Sequence, residues 1–196
     1  MNAPATARDV MVDLETRGDG PGCAILSIGA VAFDPEAGWI DPDGFYAVID
    51  ANSCLVAGLR YDQGTLDWWA KQSPEARAVI DQAAGGAGQP LALALDNFAF
   101  YLSQFGGVGS VRVWGNGADF DNAILAAAAR AAGRPTAWEH WNSRCFRTLK
   151  NLFRDIPAPE RIGVFHNALD DARTQAAHAV AILASRADQA RQEDAG

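Results

Sequence analysis

The chain has 196 residues, 49% hydrophobic and 20% charged, which suits one globular domain with a sizeable core and excludes a disordered chain. A formal net charge of −8 and a pI near 4.7 exclude a protein that coats nucleic acid through a broad basic face. They leave room for an enzyme that grips a few nucleotides, because carboxylates in a metal site are offset by the ions they hold.

Residues 1–8 are expected to be a loose leader, and Met1-Asn-Ala-Pro-Ala lacks the pattern of a signal peptide. Asp9-Val-Met-Val-Asp-Leu-Glu-Thr16 reads as a short strand ending in two acids, Asp13 and Glu15. Positions i and i+2 of a strand point to one side, so these carboxylates project together. Cys23–Phe33 is apolar on both faces and predicts a buried central strand. Asp34-Pro-Glu-Ala-Gly38 supplies a turn, and Gly44–Asp50 gives a third strand. Three strands with short links predict an antiparallel meander.

Helical signals follow over Gly64–Gln72 and from Ser73, a cap with Pro74 at the first helical position. After Gly85-Gly-Ala-Gly88, Leu91, Leu95, Phe98 and Leu102 recur at helical spacing within 90–105. Val111–Trp114 predicts a fourth strand and 119–132 a helix that is apolar nearly all round. Residues 144–155 predict a short fifth strand and a helix, and 168–187 the last long helix. Residues 188–196 read as a polar tail. The chain is therefore expected to be one α/β domain over 9–187, a mixed five-stranded sheet flanked by helices.

No apolar run reaches the roughly 18 residues of a membrane helix. Cys23, Cys54 and Cys145 are odd in number and widely spaced, which suits a reducing cytoplasm rather than a disulfide framework. Between Arg130 and Arg161 the charge reverses locally, with seven Lys or Arg against three acids.

Three stretches carry acids at places where ligands bind. Asp13 and Glu15 repel each other, a cost that a hard cation bound between their oxygens removes. Trp114-Gly-Asn-Gly-Ala-Asp-Phe-Asp-Asn122 lies where a strand passes to a helix and offers Asp119 and Asp121, either of which also suits a helix cap. Gly163-Val-Phe-His-Asn-Ala-Leu-Asp-Asp-Ala172 places His166 five residues before Asp171, near the start of the last helix. Histidine is the side chain best matched to proton transfer near neutral pH. With no thiolate or paired-histidine site, carboxylate ligands favour Mg²⁺ or Mn²⁺ over zinc.

In order, these stretches read Asp-x-Glu-Thr, Asn-Gly-x-x-Phe-Asp and His-x-Ala-x-x-Asp. This resembles the DEDD exonucleases of the His subclass, which include ribonuclease T, oligoribonuclease and the proofreading subunit of the bacterial replicase. The resemblance spans about 9–183. Leu66–Arg77 and Cys145-Phe-Arg-Thr-Leu149 look most like a bacterial and phage branch described as 3′–5′ exoribonucleases. The second motif has one more residue between Asn116 and Phe120 than ribonuclease T has.

The resemblance implies a ribonuclease-H-like fold and 3′–5′ release of nucleoside 5′-monophosphates from single-stranded ends, RNA rather than DNA. It implies that Asp13, Glu15, Asp121 and Asp171 hold two Mg²⁺ or Mn²⁺ ions. Asp121 is taken over Asp119 because it follows Phe120, and Asp171 over Asp170 for its spacing from His166, the implied general base. Leu14 and Thr16 would line the terminal-nucleotide pocket, with Asn116 near it. Phe120 and Trp69 or Trp68 would stack on bases, and Arg147, Arg144 and Lys150 would meet phosphates. Relatives are often dimers, and Trp138 and Trp141 suit either an interface or the core. The competing readings are a 3′–5′ exodeoxyribonuclease, a ribonuclease-H-like endonuclease and a non-catalytic nucleic-acid-binding module. Digestion of 3′- and 5′-labelled oligonucleotides separates them.

Overall fold

A computed structural model describes residues 3–194. Strand β1 (Asp9–Thr16) pairs antiparallel with β2 (Ile25–Asp34), placing Asp13 opposite Gly29 and Glu15 opposite Ser27. The expected third strand, Gly44–Asp50, is present as β4 (Phe45–Val48), and an unexpected two-residue strand, β3 (Trp39–Ile40), precedes it; both pair antiparallel with β2. The meander is therefore present, but the sheet has six strands rather than five. On the other side of β1, β5 (Arg112–Gly115) and then β6 (Ser143–Cys145) add in parallel.

Alternation along β1 divides its duties. Val10, Val12 and Leu14 enter the larger core, with α4 (Leu91–Ser103) and α5 (Asp121–Ala131) packed over them. Met11 faces the opposite core, shared with Val31, Phe33, Trp114, Phe146 and the alanines of α7 (Ala168–Asp194). Asp13 and Glu15 continue that second face toward the strand end. A stripe of Ala168, Ala172, Ala176 and Ala179, all fully buried, lets α7 lie close to the sheet. At Gly29 the approach is so tight that a β-carbon would stand 2.1 Å from the Ala168 carbonyl carbon.

The remaining helices are α1 (Ala51–Val56), α2 (Gln63–Trp69), α3 (Pro74–Ala84) and α6 (Phe146–Leu152), with a 3₁₀ turn at His140–Asn142. Ser73 caps α3 by accepting from the Ala76 N–H. In α5, Ile124, Leu125, Ala128 and Ala129 are buried; Ala123, Ala126 and Ala127 are half-buried, and Arg130 and Ala131 are exposed.

Two terminal expectations need correction. The leader is docked: Ala7 is buried, Thr6 Oγ1 donates to Asp34 at 2.5 Å, and the Arg8 guanidinium donates to the Phe105 carbonyl. Residues 1 and 2 lie outside the described ones. The polar tail is helical, since α7 runs on to Asp194, with Arg186 clamped on both oxygens of Asp155. Residues 195 and 196 lie outside the described ones. Among the described residues, no helix is long and apolar enough to cross a membrane.

Candidate active site

Where β1 ends, a cleft of about 520 Å³ opens, walled by Asp13, Leu14, Glu15, Thr16, Trp68, Asn116, Phe120, His166 and Asp171, among others. Its floor is the α7-facing side of β1. Asp13 Oδ1 accepts from Gln175 Nε2 at 2.7 Å. Gln175 follows Asp171 by one helical turn, so both side chains leave α7 on the same face. Glu15 is buried, and single donor atoms of Glu15, His166 and Asp171 lie within 4.8 Å of one another. Asp121 opens α5 just behind. It is buried, and its Oδ2 accepts from the Asn116 N–H at 2.6 Å, while its Oδ1 is buried without a partner. Asp119 is exposed. The neighbouring Asp170 turns away from the cleft, accepting from the Val164 N–H at 2.8 Å.

The acids are held together against their repulsion. Burial, then Asp121, Glu15 and Asp171, push the pKa of Asp13 well above its ordinary value, although Asp13 keeps some contact with solvent. Burial and the charges of Asp171 and Asp121 raise Glu15 to about 8, with Arg161 opposing. Burial raises Asp121 to about 6, against hydrogen bonds from backbone N–H groups and the charge of Arg147. Crowded carboxylate oxygens, an orphaned Asp121 Oδ1 and a buried, unpartnered Gln175 Oε1 form a hard-oxygen donor set. Those residues fit a hard divalent cation.

His166 sits on the loop before α7 with φ 61, a left-handed conformation uncommon outside glycine. Its N–H donates to Asp171 Oδ2 at 3.0 Å, and Asn167 Oδ1 accepts from the N–H groups of Leu169 and Asp170, starting the helix. A strained backbone held by surrounding bonds at a cleft is where function places such outliers. The imidazole also meets Trp68 edge to face, centroids 5.0 Å apart.

The substrate candidates divide. Leu14, Thr16, Asn116 and Phe120 all wall the cleft. Thr16 Oγ1 donates to the Gly18 carbonyl, which pins the strand end. Trp69 reaches the cleft wall but is otherwise buried, its Nε1 donating to the Thr16 carbonyl at 2.8 Å. The freer ring is Trp68, 42% exposed. The exposed Arg147 lies beside Gly117 in the loop before Asp121, and Lys150 lies over the Phe146 ring. Arg144 is spent on the carbonyls of Trp141 and Ser143. Trp138 is buried in the core, whereas Trp141 is 60% exposed. Gln175 and Arg161 escaped the sequence reading. Only the spacing of Gln175, four residues after Asp171, hinted at its place.

The fold is ribonuclease-H-like, with acids from three separate stretches and a histidine gathered at the end of β1. The nuclease domain of 3′hExo, a DEDDh family member solved bound to rAMP, is similar over 92% of this chain and 94% of its own, with a TM-score of 0.60 at 12% identity. Exonuclease I of E. coli, solved with a dT13 oligonucleotide, is similar over 89% of this chain and 40% of its own, with a TM-score of 0.59 at 17% identity. The exodeoxyribonuclease of Enterobacteria phage T4 is 30% identical over 79 residues, 37% of this chain. That match spans about a third of the phage enzyme, 34% of its length. The chain belongs to the family described as the 3′-5′ exoribonuclease Rv2179c-like domain, whose model matches residues 8–183.

Proposed function

We propose that the chain is a divalent-cation-dependent 3′–5′ exonuclease. It removes nucleoside 5′-monophosphates one at a time from single-stranded 3′ ends, RNA in preference to DNA. The observation that carries this is the convergence of Asp13, Glu15 and Asp171 with His166 at one cleft, with the buried Asp121 close behind Asp13.

Asp13, Glu15 and Asp171 would hold one Mg²⁺ or Mn²⁺. Asp13 would be shared with a second, and Asp121 would engage directly or through water. Such ions supply charge stabilisation for the attacking and leaving oxygens of an in-line displacement. The protein's own part is to place the reacting groups. Leu14, Thr16 and Phe120 bound the space for the terminal nucleotide, and Trp68 offers the stacking face that a base of any identity can use. Arg147 supplies a cation for the phosphate backbone. His166 takes the proton of the attacking water as that oxygen bonds to phosphorus. The P–O3′ bond breaks, and the departing 3′-oxygen takes a proton from solvent, leaving the preceding nucleotide with its 3′-hydroxyl. Trp68, packed on the imidazole, limits its movement.

Preference for RNA is supported by the description of the family. A DNA substrate is the second reading, supported by the similarity to the phage exodeoxyribonuclease. Matched 5′-labelled RNA and DNA oligonucleotides, incubated with Mg²⁺ or Mn²⁺, decide both points. A ladder shortening from the 3′ end, faster on RNA, is expected. Internal fragments or no cleavage would overturn the exonuclease reading, and a faster DNA ladder would reverse the preference. Cytoplasmic residence and a homodimer with the exposed Trp141 at its interface complete the proposal; light scattering of wild type and Trp141→Ala tests the dimer.

A further inference from the structure

Asp171 spends both of its carboxylate oxygens on the loop that carries His166. Oδ2 accepts from the His166 N–H at 3.0 Å, and Oδ1 accepts from Arg161 Nη1 at 2.6 Å. Arg161 does more than pair with it. Its Nη2 donates to the Val164 carbonyl at 2.7 Å, and its guanidinium lies 3.8 Å from the centre of the Phe165 ring. Phe165 is 66% exposed and Val164 44%; Arg161 covers the Phe165 ring and shares the Val164 carbonyl with the Asn167 N–H. The loop begins at Gly163, whose φ of 67 gives it a pivot, and a β-carbon there would collide with the Asp170 carboxylate. Asp170 holds the same loop by accepting from the Val164 N–H.

The geometry points to Arg161 as a positioning residue. It ties the loop of His166 to the acid that opens α7, and its charge tempers the grip of Asp171 on a cation. This rests on the proposed roles of Asp171 and His166. Two separable effects belong to one side chain. The planar fork spans Asp171 and Val164 while its face covers Phe165, a task that a lysine ammonium cannot reproduce. The positive charge beside Asp171 and near Glu15 opposes a second positive charge at the same carboxylates, which lysine does reproduce.

The test uses the full chain with Arg161→Gln and Arg161→Lys. Amide hydrogen exchange over 162–167 reads the loop, calorimetric titration with Mn²⁺ reads the acids, and the steady state on a 5′-labelled oligonucleotide reads the consequence. Both variants are expected to exchange faster at Val164 and His166. Both are expected to lose kcat by roughly 10- to 100-fold with KM nearly constant, as for a misplaced catalytic group. Only Arg161→Gln is expected to bind Mn²⁺ more tightly, with Arg161→Lys returning to the wild-type Kd. Wild-type exchange with wild-type kcat in Arg161→Gln would overturn the positioning role, and equal Mn²⁺ affinity in all three proteins would overturn the charge role. Asp13→Asn is run alongside. If it hydrolyses like wild type, the functional reading has failed. If it is inactive while Arg161→Gln behaves as wild type, only the inference about Arg161 has failed.

Discussion

Gly29→Ala puts one methyl group where the fold leaves no room, and its effect should appear at a site it does not touch. Gly29 pairs with Asp13 across β1 and β2, and the start of α7 lies directly on it. The added carbon would stand 2.1 Å from the Ala168 carbonyl carbon and 2.2 Å from the Leu169 nitrogen. Both are backbone atoms, so neither can rotate aside. An ordinary carbon–carbon contact needs about 3.5 Å, so the helix start must withdraw by about 1.4 Å. Asp171 and Gln175 travel with it, and the 2.7 Å bond from Gln175 to Asp13 is stretched beyond hydrogen-bond range. Overpacking of this kind costs about 1–3 kcal/mol, or roughly 2–12 °C in Tm for a domain of this size. Misplacement of a catalytic group by about 1 Å costs on the order of 100-fold in rate. Thermal melting and hydrolysis of a 5′-labelled oligonucleotide measure the two effects on one preparation. Wild-type Tm and rate in Gly29→Ala would mean that α7 is not seated on β2 as described, and the placement of Asp171 would fall with it.

Other expectations follow from the same geometry. Glu15 rises from 4.5 to about 8 in the fold, so between those values the folded chain keeps a proton that the unfolded chain releases, and stability falls as pH rises. In EDTA, Glu15→Gln should remove that loss and melt above wild type at pH 8 but not at pH 4.5; the shift corresponds to a ceiling of about 5 kcal/mol. A wild-type Tm lying above that of the variant at pH 8 would contradict the crowding of acids. Asp13→Asn should abolish hydrolysis and leave circular dichroism unchanged, since it removes like-charge repulsion and can still accept from Gln175. Asp171→Asn should also be inactive but less stable, because it weakens the pair with Arg161, and an Asp171→Asn protein that melts like wild type would refute that second role. Trp68→Ala should raise KM for short oligonucleotides several-fold and leave Tm within about 2 °C, since the ring is half exposed; an unchanged KM would show that Trp68 does not stack on substrate.

The parts of this protein that were legible in its sequence are those whose signal is local. Asp13 and Glu15 declare themselves because a strand period of two sets them on one side, and Ser73-Pro74 declares the start of α3. Asp121 stands out from Asp119 only through its Phe120 neighbour. Where long-range contacts decide, the sequence is mute. β3 is two residues long and exists because Phe33 and Asp34 pair with it. α1 is only six residues long, too short for a helical period to show, and starts where Asp50 accepts from the Asn52 N–H. The helix beyond residue 187 is too polar to announce itself by periodicity, and the leader is fixed by Thr6 and Ala7 meeting groups far along the chain. Within the site, Trp68 and Trp69 are neighbours of the same type, and only burial separates the ring that packs from the ring that faces the cleft. Arg161 and Gln175 reach their carboxylates across 10 and 162 residues of sequence, beyond any motif.

Anomalous scattering from crystals soaked in Mn²⁺ tests the central claim most directly. Density is expected between Asp13, Glu15 and Asp171, with carboxylate oxygens about 2.0–2.3 Å from the ion, and a second peak within reach of Asp13 and Asp121. Ordered Mn²⁺ elsewhere on the molecule, with none at these acids, would contradict it.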